Sequence, residues 1–70
     1  MMTTKQALEA LPENHKRYLV VLKRNIASSE ANGNHGYVKE VEATARGYIR
    51  CLEDAGIIDS FRTLWCWFTL

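Results

Sequence analysis

The chain reads as one small all-α domain: an antiparallel helical hairpin with a short helix at each end, a bundle of three to four helices spanning residues 1–70. Three observations predict it. Apolar residues recur at three- and four-residue spacing across most of the sequence. The Asn/Gly-rich run Asn32-Gly33-Asn34-His35-Gly36 breaks that pattern near the middle of the chain. No segment alternates with the two-residue period of a half-buried strand.

The elements follow in order. Thr3 to Leu11 predicts a short helix, because Thr3 and Gln6 have the spacing of a capping box and Ala7, Leu8 and Leu11 form an apolar side. Pro12 closes it and can open the next helix, where no N–H donor is needed. From about Pro12 to Ser29, residues Leu11, His15, Tyr18, Leu19, Leu22 and Ile26 share one stripe, which Asn25 and Ser29 continue in polar form. A loop over Asn32–Gly36 reverses the chain.

The third helix, about Tyr37 to Ala55, has the clearest pattern. Val38, Val41, Ala45, Tyr48, Leu52 and Ala55 alternate by three and four like a heptad seam, flanked by Tyr37, Thr44, Ile49 and Cys51. Gly56 is placed to end it in a left-handed conformation. A last helix, about Ser60 to Thr69, is capped by Asp59 or Ser60 and carries Phe61, Leu64, Trp65 and Phe68 on one face. A strand competes for Leu64–Phe68, which is rich in β-formers. Such a strand would have no partner for its backbone groups, so a helix is expected.

Bulk properties narrow the function. Seventy residues form one domain with a thin stability margin, which small folds supplement with disulfides, a metal or a partner subunit. The opening residues lead straight into an amphipathic stretch without the pattern of a signal peptide, so a cytoplasmic protein is expected, with Cys51 and Cys66 reduced and packed. No apolar run reaches membrane-spanning length. Hydrophobic content of 47% with a net charge of +1 argues for a folded chain.

No constellation points to catalysis, a cofactor or a small-molecule substrate. His15, His35, Cys51 and Cys66 lack the close pairing that puts two ligands on one metal ion. The glycines do not follow a strand as a phosphate loop does. Glu40, Glu42, Glu53 and Asp54 lie on a solvated helix face, where Glu42–Arg46 and Arg50–Asp54 have ion-pair spacing.

Two surfaces remain for partners. Phe61, Trp65, Trp67, Phe68 and Leu70 are more apolar area than a small hairpin can surround, and exposed aromatics mark interfaces. They suggest a non-enzymatic protein-interaction module, dimeric through Trp67 and Leu70. The alternative is a nucleic-acid-associated accessory protein, with Lys16, Arg17, Lys23 and Arg24 projecting from the outer side of the second helix toward phosphates or an acidic partner. The near-neutral chain and the lack of an aromatic among these cations favour the first reading.

Two fragments carry resemblances. Ala43 to Ile58, ending Leu52-Glu53-Asp54-Ala55-Gly56-Ile57, resembles the recognition helix of winged helix-turn-helix regulators. That family continues into a two-stranded wing, whereas Asp59-Ser60-Phe61 starts a helix here. The stretches Ala45-Arg-Gly-Tyr-Ile-Arg50, Ala55-Gly-Ile-Ile58 and Trp65-Cys-Trp-Phe-Thr-Leu70 resemble short orphan proteins carried on prophages and mobile elements of Gram-positive bacteria. That resemblance implies a bacterial, cytoplasmic accessory protein and carries over no functional residue.

Overall fold

The computed structural model describes residues 3–70, which contain four helices and no strand: α1 (Thr4–Glu9), α2 (Glu13–Ala31), α3 (His35–Asp54) and α4 (Phe61–Thr69). The helical hairpin with short terminal helices is therefore the fold. α2 packs along α3, α4 lies against α3, and α1 lies across α4. The chain measures 36 × 20 × 20 Å.

Local chemistry sets the boundaries. Thr3 and Gln6 form the reciprocal capping box, with Gln6 N–H donating to Thr3 Oγ1 and Thr3 N–H to Gln6 Oε1. Pro12 sits at the N-cap of α2, one residue ahead of the helix, and its carbonyl accepts from His15 and Lys16. α2 runs two residues past Ser29 and ends where Gly33 takes φ of 73°, with Asn34 N–H donating to Ser29 O. The reversing loop is shorter than the Asn/Gly run. The Asn34 side chain accepts from Tyr37 N–H, which starts α3 at His35 and draws His35 and Gly36 into its first turn. Gly56, with φ of 75°, ends α3 as its position predicts, and Ile57 N–H donates to Leu52 O.

The core is one cluster drawn from α2, α3, α4 and the α1–α2 joint, with Leu8 of α1 packed against it. Leu19, Ala45, Ile49 and Leu64 are fully buried, and Leu11, Leu22, Val41, Leu52 and Phe68 surround them. Ile49 lies at the centre of the seam it was expected to flank. Tyr48 moves the other way, to a half-buried edge.

Both cysteines, expected to be packed, are exposed. Cys66 points away from α3 on a helix that is apolar nearly all round, so only one of its sides can face the core.

Candidate protein-contact faces

The aromatic end of the chain is built by α4 and closed by cations from the long helices. Phe68 belongs to the core; Phe61, Trp65 and Trp67 are half-buried. Phe61 and Trp65 stack at 5.7 Å between centroids, and Trp65 and Phe68 at 5.5 Å. Arg50 stands 4.2 Å over Phe61, Arg46 5.4 Å over Trp65 and Lys23 5.4 Å over Trp67. Each outward ring face therefore already has a partner worth up to about 1 kcal/mol. Leu70, 85% exposed, is the side chain that remains fully offered at this end.

The same contacts reassign several charges. Arg46 and Arg50 turn to the rings rather than to Glu42 and Asp54. Arg50 also reaches Glu53 at 3.8 Å. Glu53 Oε2 accepts from Phe61 N–H at 2.8 Å, capping α4 where the Ser60 side chain makes no cap bond. At the opposite end the Lys23 ammonium donates to the carbonyls of Trp67, Phe68 and Leu70 at 3.1, 2.9 and 2.9 Å. α4 thus has an anion at its positive end and a cation at its negative end, the favourable arrangement for a helix dipole.

This leaves a reduced basic face. Lys16 pairs with Glu13 at 3.7 Å, and Lys23 is committed to α4. Arg17 and Arg24, seven residues apart, stay exposed on the outer side of α2. The four cations expected together are divided into an outward pair and an inward-leaning pair.

The other flank of the hairpin is open. At about 100° per residue, Tyr18 lies about 140° around α2 from Lys23, and Tyr48 about 160° around α3 from Arg46. Since Lys23 and Arg46 reach α4, Tyr18 and Tyr48 face the opposite way. The two rings meet there at 4.7 Å, and the Tyr48 hydroxyl lies 2.5 Å from His15 Nδ1. Along the same edges run Val21 and Asn25 on α2, and Tyr37 and Thr44 on α3. Tyr18, Val21 and Tyr37 are 40%, 44% and 43% exposed, the largest uncovered apolar side chains apart from Ile57 and Leu70. None of the nine Lys and Arg or eight Asp and Glu residues stands at these six positions. Burial, and then the adjacent Tyr18 hydroxyl, push the Tyr48 pKa above 10.0, so its phenol stays protonated and able to donate.

This tyrosine face is absent from the sequence expectations, which assign Tyr18 and Tyr48 to the core stripe. Its signal is nonetheless visible: uncharged residues at three- and four-residue spacing occupy one edge of each long helix.

Other chemistry is sparse. Among the described residues no three His, Cys, Asp or Glu side chains gather as a metal site. An open groove of about 260 Å³ lies between α1 and the start of α4, lined by Ala7, Ala10, Leu11, Ile57, Ile58 and Thr63 together with Asp59 and Ser60. No described helix is long and apolar enough to cross a membrane. Compared with protein-family models, curated proteins and solved structures, the chain matches none.

Proposed function

We propose that the chain is a non-enzymatic interaction module that acts through protein contact. The observation that carries this reading is the uncharged tyrosine face. Its exposed Tyr18 and Val21 lie beside the half-buried Tyr48, and Tyr37 extends the face three helical turns along α3. Depletion of charge with enrichment of tyrosine is the composition of an interface centre, and large apolar patches on a small domain ordinarily serve contact. The aromatic end contributes less to this reading than the sequence suggests, because its ring faces are occupied by Arg50, Arg46 and Lys23.

If the face exists for contact, the fold does not need its exposed side chains. At protein dilution where only monomer is present, Val21→Ser and Tyr37→Ser should each change the unfolding free energy by less than about 0.5 kcal/mol. A loss above about 1.5 kcal/mol would make these residues structural and remove the reading. A nucleic-acid arm completes the test. Heteronuclear NMR titration with duplex DNA and single-stranded RNA should leave the amides around Arg17 and Arg24 unmoved. Salt-sensitive shifts confined to those residues would replace protein contact with phosphate binding.

A further inference from the structure

We infer that the tyrosine face is covered by a second copy of this chain, packed face to face so that α2 of each copy lies antiparallel across α3 of the other. The inference rests on the protein-contact reading and names its partner.

Helices of 19 and 20 residues at 1.5 Å per residue make a platform about 30 Å long, and two helices side by side make it about 20 Å wide. Its flat projection is about 600 Å². Two such faces together bury about 1,200 Å², the lower bound of a stable interface. The face therefore reaches that bound only when it is covered whole, and a partner presenting two rods of the same length covers it whole.

Beside the uncharged centre, the outer side of α2 carries Arg17 and Arg24, and the outer side of α3 carries Glu40 and Asp54. All four are exposed, and none makes an ion pair among the described residues. One rim is basic and the other acidic, so the face complements itself under a two-fold axis parallel to the helices. Such an axis preserves height along the hairpin. Because Tyr18 lies beside Tyr48 in the antiparallel pair, residue 24 of α2 comes level with about residue 42 of α3. Arg24 of one copy then meets Glu40 of the other within about half a helical turn. Arg17 falls within a long side chain's reach of Asp54 of that copy. The perpendicular axis would set α2 against α2 and bring Arg17 toward Arg24 of the second copy, a like-charge contact that disfavours it.

Closing the centre brings Tyr18, Val21 and Tyr37 of both copies out of water. Asn25 and Thr44 supply polar groups that tolerate a neighbouring helix. Tyr48 is already satisfied by His15 and needs no new partner.

Sedimentation equilibrium of the purified full chain, from micromolar to millimolar concentration, tests the assignment. The expected result is a reversible rise from 8.0 kDa to twice that mass. Val21→Lys and Tyr37→Lys should hold the chain at monomer mass with unchanged helical circular dichroism, since both positions are exposed in the single chain. Arg24→Glu and Glu40→Arg should each weaken association about two- to fivefold, and their combination should restore it. A strict monomer at millimolar concentration overturns the self-association while leaving protein contact to an unlike partner, provided that Val21→Ser and Tyr37→Ser prove neutral for folding. A dimer that tightens on Arg24→Glu overturns the α2-across-α3 arrangement. A dimer that survives Val21→Lys and Tyr37→Lys but dissociates on Leu70→Lys overturns the choice of face.

Discussion

Replacing Lys23 by Met isolates the contact that fastens α4 to the hairpin. Met keeps the apolar stem and removes the ammonium, which donates to three carbonyls at the end of α4 and lies over the Trp67 ring. Hydrogen bonds from a charged group contribute about 1.5–3 kcal/mol, and the ring adds about 0.5–1 kcal/mol. Lys23 is only half-buried and the bond to Leu70 is exposed, so screening reduces the total to about 1.5–2.5 kcal/mol. A domain of this size is stable by roughly 3.5–10 kcal/mol, which makes that loss a large fraction. At about 4–8 °C per kcal/mol, Tm should fall by roughly 6–20 °C. Thermal melts followed by circular dichroism and tryptophan fluorescence measure it. Lys16→Met, which removes only the 3.7 Å pair with the exposed Glu13, serves as the control and should stay within about 0.5 kcal/mol of the unaltered chain. If Lys23→Met melts within about 2 °C of Lys16→Met, the carbonyl clamp does not form in solution and the account of α4 docking fails.

Two further expectations follow from the same contacts. Glu53→Gln weakens the cap on Phe61 N–H and the pairing with Arg50, so it should cost about 1 kcal/mol in denaturant unfolding. It should also raise amide exchange at Phe61 and Arg62, and unchanged exchange there would refute the cap. Tyr48 has a folded-state pKa above its unfolded value near 10, so the neutral phenol is favoured in the fold. The stability linked to it is fully present below about pH 10 and is lost as pH rises through the elevated value. Alkaline unfolding should therefore begin at higher pH in Tyr48→Phe, and identical profiles for the two chains would remove that linkage.

Amino-acid order alone determined the elements. The Thr3–Gln6 box, the break around Gly33 and the Gly56 stop act through backbone groups a few residues away, and such short-range chemistry is readable in one dimension. The apolar period also located the inner sides of α2 and α3, because burial forces a stripe on any packed helix. Boundaries slipped where a side chain chose its own cap: Asn34 starts α3 two residues ahead of Tyr37.

Which side of the hairpin α4 covers was decided only by tertiary structure. A seam of period three and four has two flanks of similar composition, and the covering element can occupy one of them. Docking on the Lys23–Arg46–Arg50 side turned three cations that resemble a solvated or phosphate-binding surface into a clamp on aromatic rings and carbonyls. It also left Tyr18 and Tyr37, which periodicity assigns to the core or its margin, in contact with water beside Val21. The physical reason is that helical period records distance from an axis, whereas occupancy of a flank depends on residues more than 40 positions away, such as Trp67 and Phe68 meeting Lys23.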